Sequence, residues 1–311
     1  MQDLFEASKK LRDFISPPYT KIQLPYSFER KTMFAVVDEI LHPDLELKSN
    51  RVLFDFSRLK FADPTAITVL SNLIEFLRKK GAKIEYLNYQ LPSDGNKYLD
   101  DCGFFKKYLG EQVFPNSALR QSTLPLQLIT HAKSLEWMEH KLTPWIENKV
   151  GRTGESFAEI KSCLSEVFNN IRDHSGENVG SVFAQYYPKT KTVMLSISDF
   201  GKGIPTNVRK AFPEFSDEKA ISKAMEQGFT TKSTPVNQGI GLYYLSKNVV
   251  QINGGEIWIN SLSGAVRCIA SASGVKMLPY KEKFSYPGTL LQLTFNTDKL
   301  GSLGAKEEFE W

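Results

Sequence analysis

The chain has 311 residues, 41% of them hydrophobic and 24% charged, with a formal net charge of +4. That is the profile of a folded chain long enough for two domains at roughly 150 residues each. No uncharged run approaches the roughly 18 apolar residues needed to cross a bilayer, which excludes membrane spans. The N-terminus, MQDLFEASKKLRDFISPP, mixes acids and bases where a signal peptide carries an apolar core, so a cytoplasmic location is expected. Basic pairs such as Lys79-Lys80, Lys106-Lys107 and Arg209-Lys210 stand near acids, giving nucleic-acid binding little support. Cys102, Cys163 and Cys268 are odd in number, far apart and without CxxC spacing, which points to buried free thiols, not a disulfide framework or zinc site.

In chain order, RVLFDF (51–56) is the first strong strand candidate. Asp63 then N-caps a helix with Pro64 at its first position, and Lys79-Lys80 followed by Gly81 ends it. Ile67, Leu70, Ile74 and Leu77 form one apolar stripe, widened by Val69, Leu73 and Phe76, as in a helix covering a sheet. KIEYL (83–87) begins the next strand and completes a βαβ unit. The run VLFDFSRLKFADPTAITVLSNLIEFLRKKGAKIEYL resembles a STAS domain, the fold of bacterial anti-sigma factor antagonists, over roughly residues 20–112. In those antagonists the capping Asp precedes a phosphorylated serine; here Pro64 follows Asp63 and has no hydroxyl. Thr65 could accept a phosphate at the helix N-terminus, although an ordinary first-turn residue is the simpler expectation. Asp55 and Asp63 also suggest a response-regulator acidic pocket, but no suitably placed lysine follows.

After the loop-like GEQVFPNSALRQS the pattern changes, and a second domain is expected to begin near Ser122. LPLQLI (124–129) can form a strand; the segment 132–149 is helical in composition, with Pro144 expected to kink or split it. In the next helix Phe157, Ile160, Leu164, Val167, Phe168 and Ile171 follow the 3,4 spacing of a buried stripe. Glu166, Asn170 and His174 recur along that helix at four-residue intervals. TVMLSIS (192–198) then leads into Asp199-Phe200-Gly201-Lys202-Gly203, placing a carboxylate at a strand end, where it can accept from an adenine amino group, with glycines that permit a tight turn against a ligand. Residues 228–238 have the composition of a mobile lid, with Lys232 a candidate phosphate contact. Gly239-Ile240-Gly241 follows and opens an apolar helix near Leu242, whose free amides suit a triphosphate. Each signal alone is weak. The glycine pattern lacks both the Lys-Ser/Thr ending of a P-loop and the early GxGxxG of a dinucleotide fold.

Together and in this order they resemble the N, G1 and G2 boxes of the GHKL ATPase superfamily of DNA gyrase, heat-shock chaperones, histidine kinases and MutL. INGGEIWINSLSG and YPGTLLQLTF look like the closing strands of its histidine-kinase-type domain, so the resemblance covers about residues 120–298. It implies a Bergerat fold, with helices packed on one face of a mixed sheet, and ATP with Mg²⁺ as cofactors. Asn170 would coordinate Mg²⁺ and Glu166 would orient or deprotonate the nucleophile. His174 would either pack or contact a phosphate, and Asp199, Gly201, Gly203, Thr230, Thr231, Lys232, Gly239, Ile240, Gly241 and Leu242 would contact the nucleotide.

The expected organisation is therefore an α/β STAS-like domain with an N-terminal extension (1–115), an α+β ATPase domain (120–300) and a tail (301–311). His131 and His140 lack the context of a histidine-kinase phosphoacceptor, and no transducer domain is expected after the last strand. One strand and one helix before the first box look like the anti-sigma serine kinases, which act on STAS partners. The leading expectation is an ATP-dependent regulator coupling nucleotide state to a STAS-like surface, as an ATPase or a serine/threonine kinase, with a STAS-domain or sigma-factor-like protein as partner. Two alternatives stay open: a non-catalytic ATP-binding scaffold, and an ATPase of a defence or nucleic-acid-linked system that homodimerises through its lid.

Overall fold

The computed structural model describes residues 19–150, 161–162, 164–165, 167–169, 179–229 and 241–299. In the N-terminal half, β1 (Thr20–Gln23), β3 (Arg51–Asp55) and β5 (Lys83–Leu87) form a parallel sheet in the order β1-β3-β5, and β2 (Ser27–Phe28) pairs with β4 (Phe61–Ala62). Parallel neighbours require crossovers, supplied by helices α1 (Arg30–Ile40) and α2 (Pro64–Lys79). Helix α2 has the expected ends: the Asp63 carboxylate accepts from the Ala66 amide at 2.7 Å, and Gly81 takes φ +76° just beyond the C-terminus. Short helices α3 (Asp94–Asp101) and α4 (Phe104–Leu109) close this half. Phe54, Phe56, Phe104 and Phe105 are fully buried there, and the Phe56–Phe105 pair meets edge to face at 5.6 Å.

The second half is a five-stranded sheet in the order β6-β7-β8-β10-β9: β6 (Thr123–Thr130), β7 (Val179–Tyr187), β8 (Thr192–Ser198), β9 (Glu256–Ser271) and β10 (Gly274–Asn296). Every pairing in it is antiparallel, which corrects the expected mixed sheet. The tight turns joining β7 to β8 and β9 to β10 force antiparallel neighbours, and β10 then inserts between β9 and β8. One face carries α5 (His131–Trp137), α6 (Thr143–Val150), α7 (Ile204–Val208), α8 (Asp217–Ala224) and α9 (Gly241–Ser246), together with helical residues between 161 and 169. Pro144 does not split the α5–α6 segment, whose backbone stays helical through Met138 and Thr143. A π turn over Met138–Leu142, in which the Thr143 amide donates to the Met138 carbonyl, precedes the residue that cannot donate.

The expectation of helices on one face only is also corrected. Helix α2 covers the opposite face, packed on β7 and β8. Twelve of its sixteen residues are buried, so it is sandwiched between two sheets. The apolar cluster of the N-terminal half therefore includes Leu126, Phe183, Phe200, Tyr286 and Leu290 from the second half. The helix face turned to the larger sheet is largely polar. Thr65 donates to Gln292 Oε1 at 3.0 Å, the Ser71 hydroxyl meets that of Ser181 at 3.2 Å, and Asn72 Nδ2 donates to Ser198 Oγ at 3.0 Å. Pairing these buried groups avoids the desolvation cost of leaving them unmatched. At the rim, the Arg30 guanidinium lies 3.7 Å above the Trp258 ring and pairs with Glu282.

Cys102 and Cys268 are buried free thiols, and burial pushes each up to about 12; Cys163 lies outside the described residues. Among the described residues no helix is long and apolar enough to cross a membrane.

Candidate functional site

Strand β8 alternates cleanly. Val193, Leu195 and Ile197 enter the cluster under the helices, while Met194, Ser196 and Ser198 face α2. The strand ends at Asp199, which is 3% exposed. Its amide donates to the Thr289 carbonyl at 3.0 Å, and its Oδ1 accepts from the Gly201 amide at 2.7 Å, closing a two-residue Asx turn. Gly203 follows with φ +77° and starts α7, whose Ile204 amide donates to Ser261 Oγ at 3.0 Å.

The glycines of this turn serve the protein's own packing. A Cβ on Gly203 would stand 2.6 Å from Ser261 Oγ and 3.0 Å from the Gly288 carbonyl. Gly288, at the register shift in β10, is more tightly placed: with φ +79°, its Cβ would come within 2.3 Å of the Asp199 carbonyl and 2.7 Å of Asp199 Oδ1. Ser261 Oγ donates to the Gly288 carbonyl and completes the brace. The sequence reading missed Gly288 and Ser261. The Pro-Gly pair inside YPGTLLQLTF, a turn signal within a strand pattern, could have marked the bulge.

Of the expected site residues, Asp199, Gly201 and Gly203 are thus brought into one turn. Gly241 and Leu242 open α9, and Leu242 packs on the same apolar cluster as Leu164, Val167 and Phe168. The helical residues between 161 and 169 and the helix opened by Gly241 therefore share one face of the sheet. Asn169, among the former, is hydrogen-bonded to His131 Nε2 at 2.8 Å. Glu166, Asn170, His174, Thr230, Thr231, Lys232, Gly239 and Ile240 lie outside the described residues. A separate cleft of about 790 Å³, lined by Lys60, Tyr98, Arg120 and Tyr187, contains none of the site residues.

The other acidic candidates have structural roles. Burial would raise Asp55, but hydrogen bonds from Asn88 at 2.8 Å, from Lys21 at 2.9 Å and from the Ser57 amide hold it far below the usual carboxylate range. Thr65 is 1% exposed, and its hydroxyl is directed to Met194 and Gln292.

Residues 157–276 match the family model described as "Histidine kinase-, DNA gyrase B-, and HSP90-like ATPase". The chain thus carries a GHKL-type ATPase domain over those residues, and the match spans sequence positions 166 and 170, the Asp199 turn and the start of α9. No curated protein matches the chain.

Proposed function

We propose that this protein is a Mg-ATP-dependent regulator in which nucleotide state is coupled to a STAS-like domain formed by residues 1–115, with residues 120–300 as the ATPase domain and 301–311 as a tail. The observation that carries the reading is the Asp199 turn. A buried carboxylate stands at the end of a central strand, locked by the Gly201 amide and backed by Gly288, inside a domain of a family that binds ATP. A carboxylate is an acceptor-only group with about four lone-pair sites, so its chemistry fits the exocyclic amino donor of adenine. Asn170 would hold Mg²⁺, which offsets phosphate charge when bound, and Glu166 would orient or deprotonate the nucleophile. Lys232 and the amides at Gly239 and Gly241 would meet the phosphates. Asp199→Asn is expected to weaken ATP binding about tenfold or more, since a charge-assisted hydrogen bond contributes on the order of 1.5–3 kcal/mol. Calorimetry with unchanged affinity removes Asp199 from the site.

Hydrolysis and phosphotransfer are separated by incubating the chain with γ-labelled ATP and reading free phosphate and labelled protein together. The expected result is turnover with no label on Thr65, because its hydroxyl is buried against Gln292. Label mapped to Thr65 would show that its hydroxyl is reached by the nucleotide and establish an internal serine/threonine-kinase switch. Tight binding with neither product marks a non-catalytic scaffold. A STAS-domain or sigma-factor-like protein, or a second copy of the chain, is the proposed partner. It would use surface other than the first turn of α2.

A further inference from the structure

The two residues flanking Asp199 are both held by the N-terminal half of the chain. Before it, Ser198 Oγ accepts from Asn72 Nδ2 at 3.0 Å and is hydrogen-bonded to the Tyr286 hydroxyl. After it, the Phe200 ring stacks on Phe76 at 5.4 Å between centroids, with planes 26° apart, and meets Tyr286 at 5.3 Å. Ser198 and Tyr286 are each 1% exposed, Asn72 is 6% and Phe200 is 7%. Tyr286 in turn touches Phe34 of α1 at 5.5 Å, so both N-terminal helices contribute to the bracket.

Side chains alternate along β8, so anchoring Ser198 toward α2 directs the next residue, Asp199, to the opposite side, where the ATPase helices lie, and the Phe76–Phe200 stack holds the turn that follows. We infer that Asn72 and Phe76 are positioning residues for the nucleotide: from another domain, they fix the direction of the Asp199 carboxylate and so set the adenine selectivity of a site they do not touch. The inference rests on the reading that Asp199 meets adenine. A buried hydrogen-bond network of this kind is sensitive to the loss of one member, because the remaining groups are left without partners in a low-dielectric environment. Phe76 acts through ring stacking and has no polar group to satisfy, so the two residues test the bracket by different chemistry.

The alternative is that Asn72 and Phe76 cement the interface and do nothing else. Ser71 provides the comparison. It sits on the same helix, and its described side-chain hydrogen bonds go to Tyr108 at 2.6 Å and Ser181 at 3.2 Å, not to Ser198. In the full-length chain, dissociation constants for ATP, GTP and inorganic tripolyphosphate would be measured by calorimetry beside the melting temperature, for Asn72→Ala, Phe76→Leu, Phe76→Tyr and Ser71→Ala. Asn72→Ala and Phe76→Leu are expected to weaken ATP binding by about tenfold and to shrink the ATP-to-GTP preference, while tripolyphosphate binding changes by less than about twofold. Phe76→Tyr keeps the ring and is expected to retain the preference. Ser71→Ala is expected to lower the melting temperature with the preference intact. Phe76 is only partly buried, so Phe76→Leu keeps the test open if Asn72→Ala does not fold. An unchanged ATP-to-GTP ratio in the folded variants overturns the inference and leaves the nucleotide reading standing. Absence of ATP binding by the unmutated chain removes both.

Discussion

Gly288→Ala is expected to abolish measurable ATP binding and to lower the melting temperature sharply. Two costs combine at this position. The left-handed backbone, φ +79°, costs a non-glycine residue roughly 1–3 kcal/mol. The new Cβ would also stand 2.3 Å from the Asp199 carbonyl, 2.6 Å from the Gly201 amide nitrogen and 2.7 Å from Asp199 Oδ1. These neighbours are backbone atoms or belong to the turn itself, so relief requires β10 to move away from Asp199. That movement would break the bond from the Asp199 amide to Thr289 and the bond from Ser261 to Gly288. Gly81 offers an internal reference, since its φ is +76° but nothing lies within 4 Å of its Cβ position. Gly81→Ala is expected to show the conformational cost alone, with ATP binding unchanged. Calorimetry and thermal melts on both variants check the difference. Matching melting temperatures and intact ATP affinity in both would show that close approach of β10 is not what requires glycine at 288.

Asp63→Asn is expected to stabilise the protein at pH 8 by roughly 1–3 kcal/mol, and to have no such effect at pH 3. Burial beside Glu29 pushes the Asp63 carboxyl up to about 6, against amide bonds from Ala66, Arg30 and Thr65 that pull it down. Because the folded-state value lies above the unfolded one, the folded chain binds more protons between about pH 4 and 6. Stability contributed by the neutral form is present below the unfolded value and is lost as pH rises through 6. Asparagine caps a helix as well as aspartate does and carries no charge to desolvate, so the bond to the Ala66 amide survives the change. Burial also raises Glu39, which titrates in the same direction, so the informative quantity is the difference between variant and parent at each pH. Asp55 is shifted the opposite way, and its contribution is lost only at more acid pH. Urea unfolding from pH 3 to 8 measures the difference. A variant no more stable than the parent at pH 8 would mean that Asp63 is charged in the fold at little cost.

Much of the local structure was legible because it rests on rules internal to a segment. Asp63, Pro64 and Gly81 set the ends of α2 through capping, fixed φ and positive φ, none of which needs a distant partner. KIEYL and TVMLSIS, expected as strand runs, are the strands β5 and β8. The carboxylate at the end of β8 was readable for the same reason. Asp199 was placed by a strand that stops and glycines that turn.

The second face of α2 was not read. Its residues there are Thr65, Ser71 and Asn72, which pattern reasoning assigns to solvent, whereas the structure pairs them with Gln292, Ser181 and Ser198. One trace of that burial stood in the sequence: no charged residue occurs between Pro64 and Glu75, too long a gap for a helix with a wet side. The partners lie more than a hundred residues away, and no local rule connects them.

The sequence by itself thus determined the elements, the helix caps, the buried thiols at Cys102 and Cys268 and the turn that presents Asp199. Only the tertiary structure decided that the larger sheet is antiparallel throughout and covered on both faces, that Thr65 is shut away, and that Gly288, Asn72 and Phe76 surround the Asp199 turn. The physical reason is range. Capping, φ preference and alternation act over a few residues and are written in the order of the chain, whereas a close approach between β10 and the Asp199 turn, or a hydrogen bond across 126 positions, exists only once two separate halves share a core.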